Sequence, residues 1–271
     1  MVSPITGTPL VLVQISDPHL LADPAGRLLG VNTDASLRRV LDEVRRCEPH
    51  CSVLLVTGDI AQDGSALAYR RFLLHAASLR VSVHGLPGNH DCGDMLRAVW
   101  QERLDPVVDL GAWRMVLLDS SVPGSNTGHL AQRQLALLQA AARQAQDRHV
   151  LVAVHHNPLP MGSAWLDTMT IGNGDALLGC VGKLPNVRCL VWGHVHQEHD
   201  AVRHYGQSHA VRLIASPSTC VQFRPHSETF ALDAAAPAYR WLRLYPDGAV
   251  ETGVRRVEGL ALEPDTDSTG Y

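Results

Sequence analysis

Six short runs rich in Val, Leu and Ile recur along the chain, at Leu10–Ile15, Val53–Thr57, Val81–Leu86, Trp113–Leu118, Val150–Val154 and Val187–Trp192. They read as strands covered on both faces. Helix-forming composition lies between the runs over Thr33–Cys47, with a cap at Thr33 or Asp34, and over Ser65–Leu79 and Leu130–Gln146. Strands alternating with helices imply α/β layering.

The last third has a different texture. The stretches HAVRLIASPST (209–219) and YRWLRLYPDGAVETGVRRV (239–257), with a Pro246-Asp247-Gly248 turn, predict antiparallel strands joined by a hairpin. They are expected to form a second or mixed sheet packed on the first. A chain of 271 residues that is 45% hydrophobic can build a full core, and no linker, repeat or low-complexity tract divides it. One domain over 1–271 is expected, its C-terminal part from about 205 contributing antiparallel strands and a tail.

The formal charge of -4 argues against a broad nucleic-acid surface, which needs clustered Lys and Arg. The amino terminus, MVSPITGTPLVLVQIS, has no basic n-region, and its apolar run is far short of a membrane span. Six cysteines without a CxxC framework read as reduced thiols. A cytoplasmic protein with no membrane partner is the expectation, and oligomeric state is not legible. Fifteen histidines are the unusual count.

Polar residues able to bind metals collect where the strands stop. The first run ends in SDPH with Asp17 and His19, the second in TGDI with Asp59, and the third in PGNHD with Asn89, His90 and Asp91. The fifth ends in VHHNP with His155 and His156, the sixth in GHVH with His194 and His196. Taken singly, Gly-Asp is an ordinary turn, and an isolated His-x-His is an ordinary pair of histidines. All five in series are not ordinary, because the carboxyl ends of strands in open α/β sheets face one crevice.

This series resembles the calcineurin-like metallophosphoesterases over roughly residues 10–200. The segment ASPSTCVQFRPHSETFALDAAAPAYRWLRLYPDG (215–248) and the terminal EPDTDSTGY (263–271) are similar to the class III bacterial 3',5'-cyclic AMP phosphodiesterases. The resemblance implies a four-layer αββα sandwich with two mixed β-sheets, a dinuclear metal centre, and hydrolysis of cyclic AMP to 5'-AMP. By the family pattern, Asp17, His19, Asp59 and His196 hold one ion, and Asp59, Asn89, His155 and His194 the other. It also implies that His19, Asp59, Asn89, His90 and His196 meet the substrate, and that the metals are iron with manganese or another divalent ion.

Counted without the resemblance, Asp17, His19, Asp59, Asn89, His155, His194 and His196 are too many donors for one tetrahedral site. They suit two ions sharing a bridge, for which Asp59 has the two oxygens required. Mixed imidazole, carboxylate and amide donors favour Fe, Mn, Zn or Co over Mg or Ca. Residues i and i+2 of a strand lie about 6–7 Å apart on one side, so His194 and His196 can serve different ions. Adjacent His155 and His156 should not both face one ion; the resemblance favours His155, leaving His156 behind the ligands or facing substrate.

Two divalent ions against Asp17, Asp59 and a bridging hydroxide leave a surplus of about +1, which suits a phosphate guest. The expected chemistry is in-line attack of that hydroxide on phosphorus. His90 diverges from Asn89 and is expected at the leaving oxygen as general acid, its other nitrogen oriented by Asp91 or the backbone. Trp165, in SAWLDT, either stacks on adenine or packs in the core, and His226, in RPHSETF, either lines the pocket or lies on the surface. Cys92 and Asp94 read as helix-start packing and capping, and Asp119 and Asn126 as loop. Purple acid phosphatases carry a tyrosine three residues after the bridging Asp, where this chain has Gln62. A broader phosphodiesterase, acting on glycerophosphodiesters or 2',3'-cyclic nucleotides, is the alternative of the same chemistry; a silent scaffold would have lost donors.

Overall fold

The computed structural model describes residues 7–257, 259, 264–265 and 268–270. Eleven strands build its two large sheets: β1 (Leu10–Ile15), β2 (Val53–Val56), β3 (Ser82–Gly85), β4 (Val107–Leu110), β5 (Trp113–Leu118) and β6 (His149–Val154), then β7 (Val187–Trp192), β8 (His199–Tyr205), β9 (His209–Ala215), β10 (Ala238–Leu244) and β11 (Val250–Arg256). One sheet has the order β11-β10-β1-β2-β3 and the other β8-β9-β7-β6-β5-β4. In the first sheet the β1-β2-β3 side is parallel and the β11-β10-β1 side antiparallel; in the second, parallel pairs occupy the middle and antiparallel pairs both edges. Both sheets are therefore mixed.

Three buried clusters define the layers. Between the sheets lie Leu12, Leu55, Met115, Leu151, Val191 and Leu242. Outside the first sheet, Val13, Ile15 and Val56 pack with residues of α1 (Thr33–Cys47), α2 (Ala66–Ala76) and α3 (Gly93–Trp100). Outside the second, Val116, Val152 and Leu190 pack with α4 (Gln132–Arg143), the short turn α5 (Ala164–Asp167) and α6 (Gly174–Val181). Alternate residues of one strand thus serve different cores, Leu12 inward and Val13 outward, which is why most of the runs show no polar face; β3, at the edge of its sheet, keeps Ser82 exposed. The order helix, sheet, sheet, helix is the expected αββα sandwich.

Several local expectations change. The cap of α1 is Asn32, whose side chain accepts from the Ala35 amide at 2.7 Å, while Asp34 pairs with Arg71 at 2.7 Å and His75 at 2.9 Å. Ser65 caps α2, accepting from the Ala68 amide at 3.3 Å. Cys92 occupies the cap position of α3 without a side-chain hydrogen bond, and Asp94 is exposed and paired with Arg97 at 3.2 Å. The β10–β11 hairpin turns through Gly248, at φ 85, but joins the first sheet beside β1 instead of building the second. Of the C-terminal strands, β8 and β9 join the second sheet.

Strand register brings the motif residues to one edge. Ile15 pairs with Val56 and Val56 with Gly85 in the first sheet; Ala153 pairs with Val191 in the second. Everything that follows these residues emerges together.

Candidate metal centre

The donors sit on turns just beyond the strands, and the backbone there is unusual. Asp17 (φ 53), His19 (φ 46), Asp59 (φ 49), His194 (φ 65) and His196 (φ 49) all lie in the left-handed region. A non-glycine residue pays about 1–2 kcal/mol to be there. His194 and His196 therefore diverge through left-handed turns after β7 has ended at Trp192, and not through the pleat of a strand. Close approach fixes the glycines of these motifs: a Cβ on Gly88 would collide with Asp59 Oδ1, and one on Gly193 with Ser16 Oγ.

Side chains from both sheets meet here. His155 Nε2 lies 3.3 Å from Asp59 Oδ2 and 3.1 Å from Asn89 Oδ1. His19 Nε2 lies 3.8 Å from the same Asp59 oxygen and 3.2 Å from His196 Nε2, which is 3.6 Å from Asp17 Oδ1. Donor atoms of Asp17, His19 and His196 lie within 4.8 Å of one another, as do those of Asp17, Asp59 and His155. All seven expected donors are gathered in this region, and Asp59 faces both sides.

Two residues stand closer to the cluster than expected. His156 joins His155 and His194 in a donor group within 4.8 Å. The strand alternation that should separate His155 from His156 is lost, because β6 ends at Val154 and the two rings meet edge to face at 4.8 Å. His156 Nδ1 pairs with Ser120 Oγ at 2.8 Å, while its Nε2, like that of His194, is buried without a hydrogen-bond partner. His90 is grouped with His19 and Asp59, its ring 5.0 Å from that of His19. Its backbone N–H donates to Asp59 Oδ1 at 2.9 Å. Asp91 has a different task from orienting His90: its carboxylate accepts from the amides of Gly88, Ile60 and Ala61 at 2.9–3.2 Å, tying the turn after β3 to the turn after β2.

Burial sets the charge states. It drives His19 and His194 down to about 3, and His196 and His156 well below the usual imidazole range, so these rings are neutral and able to ligate. Burial also raises Asp17 to about 7. At Asp59 burial pushes upward, but the surrounding His155, His90 and His19 together hold the carboxyl well below its usual value. Burial pushes His155 downward, but Asp59, with Asp17 and the Thr57 carbonyl, raises it to about 9. Cations fit such a centre: its donors are buried, mostly neutral or anionic, and in two cases have a nitrogen with no other partner.

A cavity of about 410 Å³ opens beside the cluster, lined by Asn89, His90 and His194 and walled by Trp165, Phe223 and Phe230. Trp165 meets both phenylalanines edge to face at 5.1 Å, and Phe223 stacks on His196 at 4.1 Å. Asn126, expected only as loop, also lines it, as do Thr269 and Gly270 of the C-terminal tail. His226 is exposed and packs by Gly162, off the cavity wall, with φ 56. No sequence signal singled out Phe223, Phe230 or Ser120. Gln62 was singled out only for not being tyrosine, yet its Oε1 lies 2.6 Å from His19 Nδ1.

A profile of the calcineurin-like phosphoesterases matches residues 10–198, the span that carries every one of these donors. The chain belongs to the calcineurin-like phosphoesterase family. Membership brings a dinuclear metal site. Among relatives of this phosphoesterase, the 3',5'-cyclic adenosine monophosphate phosphodiesterase CpdA of Pseudomonas aeruginosa is 45% identical, over 99% of this chain and 98% of its own. The protein of the same name from Escherichia coli K12 is 40% identical, again over 99% and 98%. A dimetal phosphatase from Danio rerio shares the fold, with a TM-score of 0.64 at 18% identity, over 93% of this chain and 100% of that one.

Proposed function

We propose that this phosphoesterase hydrolyses 3',5'-cyclic AMP to 5'-AMP at two transition-metal ions. Asp17, His19, Asp59 and His196 hold one ion; Asp59, Asn89, His155 and His194 hold the other. Iron with manganese or another divalent ion suits these donors, zinc and cobalt being chemically acceptable. The observation that carries the reading is the position of Asp59 Oδ2, 3.3 Å from His155 on one side and 3.8 Å from His19 on the other. The substrate rests on the full-length likeness to proteins named as cyclic AMP phosphodiesterases.

When bound, the ions supply Lewis acidity, neutralising phosphoryl oxygens and acidifying a water. The chain's own residues do the rest. His90, partly buried at the cavity wall, gives a proton to the departing ribose 3'-oxygen. Its backbone N–H meanwhile fixes Asp59 Oδ1, so that Oδ2 is the oxygen presented to both imidazoles. Trp165 offers a face to adenine, and with Phe223 and Phe230 it keeps water from that end of the cavity. A volume of about 410 Å³ lies within the range of small-molecule sites.

A cytoplasmic setting accords with six cysteines that are all free thiols. Among the described residues no helix is long and apolar enough to cross a membrane. The decisive experiment is a substrate panel at matched metal loading, comparing 3',5'-cyclic AMP, 3',5'-cyclic GMP, 2',3'-cyclic AMP and a glycerophosphodiester. A kcat/KM highest on the last two would replace cyclic AMP with the broader phosphodiesterase reading.

A further inference from the structure

Three imidazoles of the centre give Nδ1 to an oxygen behind them and turn Nε2 toward the donor cluster. Behind His155 that oxygen is the Thr57 carbonyl at 2.8 Å, and behind His196 the Val221 carbonyl at 2.8 Å. Behind His19 it is Oε1 of Gln62, at 2.6 Å. A backbone carbonyl can only accept, so the proton on Nδ1 of His155 and of His196 is fixed by the fold itself. The third oxygen belongs to a side chain, and side chains can be exchanged.

We infer that Gln62 is a positioning residue for the ion held by His19 and His196: its Oε1 takes the Nδ1–H of His19 and so keeps the lone pair on Nε2. That nitrogen faces Asp59 Oδ2 at 3.8 Å and His196 Nε2 at 3.2 Å. With an apolar residue at 62 the buried ring is free to move its proton to Nε2, the atom that must be bare to ligate. Outer partners of this kind orient the ring and raise its basicity, and their removal weakens metal binding by about 10- to 100-fold. Gln62 reaches the site because the chain after Asp59 stays paired with the first turn: Leu20 donates to Ile60 at 3.0 Å, and Gln62 donates to Leu20 at 2.9 Å through its backbone N–H. The position that carries a metal-binding tyrosine in purple acid phosphatases here holds a ligand in place.

The inference rests on the ligand assignment proposed above, and the test separates the two. Metal-free wild type, Gln62→Leu, Gln62→Glu and His19→Ala are titrated with Mn²⁺ against a competing chelator, and the tautomer of His19 is read from its ¹⁵N shifts. Gln62→Leu should weaken one of the two binding events by about 10- to 100-fold and populate the Nε2–H tautomer. Gln62→Glu, which keeps an acceptor, should retain Nδ1–H and bind at least as tightly as wild type. Wild-type affinity and tautomer in Gln62→Leu, or weakened binding in Gln62→Glu, overturns the inference. If Gln62→Leu does not fold, Gln62→Glu decides alone by the same criterion. Two ions retained by His19→Ala would instead overturn the ligand assignment beneath it.

Discussion

His155 and Thr57 join the two sheets of the sandwich: the imidazole at the end of β6 donates through Nδ1 to the Thr57 carbonyl just past β2, at 2.8 Å. Gln14 Nε2 repeats the stitch, reaching from β1 to the Trp192 carbonyl at 2.9 Å, while Gly193 ties its own turn to the His155 carbonyl at 3.1 Å within the second sheet. The His194 amide donates to both oxygens of Asp17 at 3.0–3.1 Å. The bonds that dock the sheets at this edge are therefore also the bonds that aim the donors.

Asp59→Asn should lose both ions, since one carboxylate serves the two groups. Asn also tolerates left-handed backbone, so the φ of 49 need not change. Activity on cyclic AMP should fall by more than about 100-fold, beyond the effect of removing an outer partner. Metal analysis checks it, and one retained ion with near-normal turnover would contradict a shared bridge.

His90→Ala should cost about 10²- to 10⁴-fold in kcat/KM on cyclic AMP, the usual worth of a positioned general acid. A nitrophenyl phosphodiester, whose leaving group is stable as an anion, should lose much less. Metals are quantified on the same samples. Equal losses at full occupancy would make His90 a phosphate binder, and lost metal would make it a ligand.

Trp165→Ala should lower kcat/KM for cyclic AMP by about 10- to 100-fold if the indole stacks on the base, since such stacking is worth about 1–3 kcal/mol. A 3',5'-cyclic ribose phosphate without a base should be unaffected. Equal losses on both, with a lowered melting temperature, would assign Trp165 to packing against Phe223 and Phe230.

Iron-loaded protein should lack the tyrosinate-to-iron charge-transfer colour, because Gln62 stands where the phenolate would be. A visible spectrum of the pure protein after thiol blocking checks this; a strong band that persists would mean a misplaced ligand.

Two glycines should respond to Ala in opposite directions. At Gly193 the new Cβ collides with Ser16 Oγ and comes within 2.9 Å of Asp17 Oδ2, so Gly193→Ala should destabilise the metal-free protein by about 1–3 kcal/mol. Exposed Gly179, inside α6 with nothing near, should gain about 0.5–1 kcal/mol. Denaturant melts of both variants measure the pair.

The layering was legible because a strand buried on both faces leaves a largely apolar run, and the donors because five of the six runs ended in them. Less local features were hidden. β4 is four residues between Pro106 and Gly111, too short for periodicity to register, and α6 carries two glycines in eight residues. That the β10–β11 hairpin would pair with β1 is decided by tertiary packing, not by its own residues. Left-handed backbone at Asp17, His19, Asp59, His194 and His196 is not written in residue type, so the turn geometry that separates His194 from His196 could not be read. The aromatic wall at Phe223 and Phe230 lies in irregular chain with no motif of its own.

The pairing of β1 with β10 has a consequence for the order of events during synthesis. β1 (Leu10–Ile15) leaves the ribosome well before its neighbour at Ala238–Leu244. A nascent chain stopped before residue 196 lacks part of the donor set, and one stopped before residue 238 leaves an edge of β1 unpaired. The edge of β1 beside the donor turns is therefore covered only once β10 has been made.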